Sequence, residues 1–205
     1  MRNSISAVLL IVIASLFAGP GAGAQQTGAA SRSSAISGDA AVFYAAERAQ
    51  PVPGQGNFWF KGGSADLGFT FWRGLGAAIS FETSSATQIS ANVDEKKIAF
   101  VAGPRYTRTL WCGKSSGNKL QVFAQGMGGI AHGFDSVYPA AGGATDRATS
   151  SALQAGGGFN YIFKNNIGFR LVDAEYVRTT LPNAASDTQN DLRLGAGIVW
   201  HFGKQ

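Results

Sequence analysis

The sequence predicts an all-β fold, an eight-stranded antiparallel up-and-down barrel that crosses a membrane with its strands. Three observations carry that prediction. Segments of strict apolar/polar alternation recur after residue 24, and a period of two gives each segment one greasy face. The connectors between segments alternate, tight at one end and long at the other. The polar faces hold mostly Gly, Ala, Ser and Thr, whereas a soluble barrel needs a densely charged outside.

The elements follow in order. Residues 1–24 read as a secretory signal peptide, with Arg2, an apolar stretch over 7–18 and Ala22-Gly23-Ala24 as the cleavage site. That apolar stretch is well short of the ~20 residues a spanning helix needs. Residues 25–39 are expected to form a flexible periplasmic arm, because "QQTGAASRSSAISG" has too little apolar content to offset the entropy of ordering. Residues 40–203 form the barrel, with segments near 40–48, 58–71, 74–84, 97–109, 119–132, 151–163, 167–179 and 191–203. In 65–71, Ala65, Leu67, Phe69 and Phe71 alternate with Asp66, Gly68 and Thr70. In 75–82, Leu75, Ala77, Ile79 and Phe81 alternate with Gly76, Ala78, Ser80 and Glu82. Connectors near 72–73 and 164–166 are tight and the one near 110–118 is moderate, while 49–57, 85–96, 133–150 and 180–190 are long. Both termini then fall on the short-turn side.

Composition narrows the function. The chain has 28 glycines in 205 residues, only 14% charged residues and a modest net charge of +5 that is dispersed, so nucleic acid is not an expected partner. The lone Cys112 has no internal disulfide partner. No metal-ligand cluster, phosphate loop or dinucleotide fingerprint is present, so no cofactor or metal is expected.

Charge on the polar faces points into a narrow lumen, where eight strands leave room for little but side chains. Arg105, Arg170 and Arg193 are candidates to meet Asp66, Glu82, Asp173 and Glu175 there, since buried charge is tolerable only when paired. Arg170, Asp173 and Glu175 do not share a parity, and a bulge near Leu171-Val172 would turn all three inward. The rival reading is that some of these groups face the aqueous ends and are solvated. Gln125 and Gln154 project inward on the same register, making a plugged lumen, and an inward glycine such as Gly158 is expected to tolerate serine. Pro104 has no N–H for the ladder, so a bulge or break is expected there. Trp72, Trp111, Phe163, Trp200 and Phe202 fall at the short-turn ends, and Phe58 and Trp59 at the other rim, as two aromatic girdles. Core aromatics of a secreted β-protein are the competing account.

The stretches "FKGGSADLGFTFWRGLGAAISFE" (60–82), "FVAGPRYTR" (100–108), "VFAQGMGGIAHG" (122–133) and "DLRLGAGIVWHFG" (191–203) resemble the small eight-stranded outer-membrane barrels of Gram-negative bacteria. The type is the transmembrane domain of outer membrane protein A, and the chain is similar also to the outer membrane beta-barrel domain proteins of acidobacteria. The resemblance implies a place in the cell outer membrane, contact with outer-membrane lipid and lipopolysaccharide, and insertion by the barrel-assembly machinery through the C-terminal strand. A monomer is expected. One departure is that Gly203-Lys204-Gln205 follow Phe202, where the terminal signal of such barrels usually ends on an aromatic residue.

The expected role is a non-enzymatic integral membrane barrel with a largely plugged lumen, serving envelope structure or surface contacts. A small porin-like channel is one alternative. The other is a lipid A-modifying hydrolase, whose serine needs a base within ~3 Å. His132, with Asp135 and Ser136 nearby, is the conceivable rim constellation, but Phe134 stands where such enzymes place serine, and His201 is at the opposite end. An interfacial role for both histidines competes with catalysis.

Overall fold

A computed structural model describes residues 37–49, 58–90, 93–140, 142–183 and 187–203. The expected signal peptide, residues 1–24, and residues 25–36 of the expected arm lie outside the described residues. Eight strands follow one another: β1 (Ser37–Ala49), β2 (Phe58–Trp72), β3 (Leu75–Ser90), β4 (Val93–Cys112), β5 (Lys119–Ala140), β6 (Gly143–Ile162), β7 (Ile167–Thr179) and β8 (Gln189–Gly203). Each pairs antiparallel with the next, and β8 returns to β1 to close the barrel. Following the paired residues once around from Ser37 comes back to β1 at Glu47, ten residues along the strand. A stagger of that size tilts the strands by roughly 40° and leaves a bore that side chains can fill.

The short connectors share one end. Arg73 and Gly74 join β2 to β3 with φ of 47° and 91°, the paired positive values whose twist matches the flanking strands. The Thr107 amide bonds the Gly74 carbonyl at 2.8 Å, and a Cβ on Gly74 would sit 2.5 Å from the Thr107 carbonyl oxygen. Residues 113–118 and 163–166 turn at this same end.

The opposite end departs from the expected boundaries. β3 runs to Ser90 and β4 starts at Val93, while β5 and β6 extend to Ala140 and from Gly143, so most of the expected loops 85–96 and 133–150 is strand. Alternation of apolar with polar residues fades there because Asp94, Lys96, Asp135 and Arg147 face water, but the backbone ladder continues without it. Lys96 and Asp135 pair at 2.7 Å across that extension, and a bulge between Phe134 and Tyr138 turns the Tyr138 hydroxyl inward to donate to Glu95 at 2.9 Å. β1 begins at Ser37, so Ser37, Gly38 and Asp39 belong to the strand rather than to the arm. Ser37 pairs with both Thr70 and Gly203, which leaves no free strand edge there.

The two faces of the wall are inverted relative to a water-soluble barrel. Val42, Ile130, Leu153 and Ile198 are each 58–69% exposed on the outside, whereas Arg170, Asp173 and Glu175 are each 1% exposed on the inside. Small apolar residues fill the bore between the charged ones: Ala78, Ala99, Val101, Met127, Ala131 and Ala152 form one cluster, and Ala41, Phe43, Ala45, Ile162 and Val199 another.

Candidate functional site

Among the described residues, charge converges in the lumen. Arg170 arrives there through a register shift: the ladder with β8 passes from Arg170 directly to Asp173, leaving Leu171 and Val172 both facing outward. This two-residue bulge puts Arg170, Asp173 and Glu175 on one face despite their mixed parity. Arg105 follows another interruption. Gly103 and Pro104 have no partner on β5, and pairing resumes at Arg105–Gln125 in the same register.

Two tiers result. In the lower tier, Arg105 donates from Nη1 to Asp39 at 2.9 Å, from Nη2 to Asp66 at 3.2 Å and from Nε to Gln125 at 2.7 Å. Arg170 donates to Asp66, to Asp173 at 3.0 Å, to Asp39 at 3.4 Å and to the Asn160 side-chain oxygen at 3.2 Å. Ser80 completes Asp66 with a 2.7 Å bond. Both guanidinium groups stack on Phe123, at 4.8 and 4.5 Å from the ring centre, and Arg170 also lies 5.0 Å from the Phe43 ring. Planar, weakly hydrated guanidinium suits this combination of fork-like hydrogen bonding and stacking better than an ammonium. Gly68 makes room for it, since a Cβ there would lie 2.2 Å from Arg105 Nη1.

In the upper tier, Arg193 pairs with both Glu82 and Glu175. Gln154 donates to Glu82 at 2.9 Å, and Gln125 donates to Glu175, linking the tiers. Above these, Lys97 pairs with Glu47 and sits 4.8 Å over the Phe60 ring. All seven lumen candidates (Asp66, Glu82, Arg105, Arg170, Asp173, Glu175 and Arg193) are thus brought into one buried network.

Four members escaped sequence reasoning: Asp39, Glu47, Lys97 and the stacking ring Phe123. Parity is the signal that finds the ionic ones. Asp39 and Glu47 are in step with the buried Ala41, Phe43 and Ala45, and Lys97 is in step with Ala99, Val101 and Arg105. Asp39 was masked by the polar run before it, and Lys97 by the fading alternation beyond residue 97.

The aromatic candidates lie on the outside. Trp72, Trp111 and Trp200 are 50–58% exposed at the short-turn end, with Phe163 beside Phe169 and Phe202 beside Phe69 and Trp200 at centroid distances of 5.7–6.0 Å. Trp59 is exposed at the other rim, but Phe58 packs edge-on against buried Phe60. The histidines form no serine constellation. His132 Nδ1 meets the Thr149 hydroxyl at 2.7 Å rather than Ser136, Asp135 is engaged by Lys96, and His201 is buried in the bore near the opposite end. Among the described residues no group of His, Cys, Asp and Glu is arranged to hold a metal.

No protein-family model and no curated protein matches this chain. Solved structures do. Neisserial surface protein A aligns at 17% identity over 80% of this chain and 97% of its own, with a TM-score of 0.54. The attachment invasion locus protein Ail of Yersinia pestis aligns at 20% identity over 82% and 99%, with a TM-score of 0.49. The N-terminal barrel domain of Pseudomonas aeruginosa OprF aligns at 16% identity over 79% and 97%, with a TM-score of 0.37. What the chain shares with Neisserial surface protein A is its fold, a small closed eight-stranded barrel.

Proposed function

We propose that this chain is a non-enzymatic integral protein of the Gram-negative outer membrane, a barrel closed by its own ion pairs that serves envelope structure or surface contacts. The signal peptide directs its export, β8 presents it to the barrel-assembly machinery, and outer-membrane lipid and lipopolysaccharide surround a monomer. The observation that carries this reading is the inversion of the wall. Exposed Val, Leu, Ile, Phe and Trp surround a bore packed with charge, and only hydrocarbon makes that outer surface favourable. Strands closed on themselves also present no open sheet edge to a bilayer. The experiment is fractionation of cells followed by gel migration with and without heating. The protein is expected in outer membranes, with a folded band that shifts on boiling, and recovery in the soluble periplasm would contradict the assignment.

A second reading, a small cation-preferring pore, draws on one observation. Among the described residues the bore buries seven carboxylates (Asp39, Glu47, Asp66, Glu82, Asp173, Glu175 and Asp191) against four cations (Lys97, Arg105, Arg170 and Arg193). That excess favours cations over anions wherever solutes pass. The crosslinked tiers favour closure.

A further inference from the structure

The outer wall carries a feature that closure of the bore does not explain. Over β5, β6 and β7 it is recessed into a groove of about 480 Å³, lined by Gly126, Gly128, Leu153, Ala155, Tyr176 and Arg178. That volume falls in the ~300–1,000 Å³ range of ligand clefts. The floor is low because side chains are missing: a Cβ on Gly126 would meet nothing within 4 Å, and one on Gly128 would meet the Leu153 methyl at 3.4 Å and the Ala152 carbonyl oxygen at 4.0 Å. Leu153 and Tyr176 form the walls, 58% and 41% exposed, and the Tyr176 hydroxyl is anchored to Asn190 of β8.

The groove has a charged upper end. Arg178 stands one residue before the end of β7, on the long-connector side, exposed and without an ion-pair partner among the described residues. Arg48 of β1 is likewise exposed at this rim, with no ion-pair partner among the described residues. The register runs from Arg178 to Asn190, and from Leu192 to Arg48. The two cations are therefore two strands apart and offset by two residues along β8, roughly 12 Å from inter-strand spacing and strand rise. Of the other outward cations at this end, Lys96 and Arg147 are paired with Asp135 and Asp146, and Lys61 stands on β2, on the far side of Arg48 from the groove.

From this geometry we propose that the groove binds one outer-leaflet glycolipid of the lipid A type, an acyl chain lying over Gly126 and Gly128 and a phosphate on Arg178. Arg48 then faces the second phosphate of the disaccharide headgroup. This rests on the outer-membrane reading. Hydrocarbon anywhere on the wall is nonspecific, but a fixed cation at the head of a recess selects for an anionic headgroup above it. A phospholipid bearing one phosphate engages only one of the two arginines.

Folded protein incorporated into phosphatidylcholine nanodiscs is titrated with purified bis-phosphorylated lipid A or with phosphatidylglycerol, and retained lipid is counted by native mass spectrometry. Wild type is expected to retain one lipid A and to bind it about tenfold better than phosphatidylglycerol, the worth of one charge-assisted contact. Arg178→Gln and Gly126→Leu should each lower retention about tenfold on the same scale. Ala65→Leu and Arg108→Gln, on the outer wall away from the groove, should leave it unchanged. Equal retention by Arg178→Gln, Gly126→Leu and wild type overturns the proposal, and so does equal binding of the two lipids. Failure of the wild-type protein to enter nanodiscs or to show a heat-shifted band is a separate result, and it overturns the membrane reading along with the groove.

Discussion

Two sets of ion pairs in this barrel look alike on paper and differ in everything that matters. Lys96–Asp135 and Arg147–Asp146 stand in water on the long-connector end, with side chains 52–72% exposed. Arg170–Asp66, Arg170–Asp173 and Arg193–Glu175 stand in the bore, with side chains at most 4% exposed. The outer pairs exchange hydration for a screened attraction and hold little. The inner groups have surrendered their hydration, so each depends on its partners, and removing one strands the rest. The bore is therefore an interlocked unit, and the extension a set of separable contacts.

The largest expected effect follows from the most connected group. Arg170→Met leaves Asp39 and Asp66 with Arg105 alone and removes the cation that pairs with Asp173, and should cost ~3–5 kcal/mol in reversible unfolding from lipid vesicles. Loss of less than ~1 kcal/mol would place the lower tier in the same class as the exposed pairs.

Next come changes that test which face is which. Phe159→Arg and Ile79→Arg put a charge on the apolar wall and should each cost ~2–4 kcal/mol near the midplane, read as folded yield in vesicles. Inward Gly158 behaves differently from its sequence expectation. A Cβ there would lie 2.0 Å from the Val172 carbonyl oxygen and 3.0 Å from the Phe123 ring, so Gly158→Ser should also impair folding. Parity alone does not reveal that crowding, because it arises from the bulged strand beside Gly158 and from the ring beneath the two arginines.

The upper tier should show coupling. Glu82→Gln and Arg193→Gln remove the two ends of one contact, so the double variant should be less destabilised than the sum, by ~0.5–3 kcal/mol in a double-mutant cycle. Strict additivity would mean that the two groups do not stabilise each other.

The smallest effects belong to the extension. Lys96→Ala should leave the unfolding midpoint unchanged. Glu95 is the exception there, because burial pushes its carboxyl above the ordinary range even though Tyr138 donates to it and Lys97 is near. A raised value means that the folded state prefers the protonated form. Its contribution is present below the unfolded carboxylate value and is lost as pH rises through the raised one. Protease cleavage between residues 133 and 147 should increase over that rise, and Glu95→Gln should abolish the dependence.

Much of this was legible in the chain itself, and for a physical reason. A wall one residue thick with an apolar surface on one side and a packed bore on the other imposes period two on every strand, so Leu67, Ile79 and Ile198 announce the outside and Asp66 and Ser80 the inside. Where the outside becomes water the constraint disappears, which is why the upper parts of β3 to β6 read as loops. The links between charges were less legible. Asp39 meets Arg105 and Arg170 because the ten-residue stagger brings the start of β1 level with the short-turn halves of β4 and β7, and no local pattern encodes stagger. Phe123 shows the same limit, since an inward phenylalanine is unremarkable until two guanidinium groups are seen on its ring.

The central claim is that interlocked ion pairs close the bore, and single-channel recording from the purified protein in a planar bilayer tests it most directly. The account predicts a quiet baseline for wild type, with brief cation-preferring openings appearing in Arg193→Gln, where Glu82 and Glu175 lose their shared partner. Large, steady conductance from the wild-type barrel would contradict it.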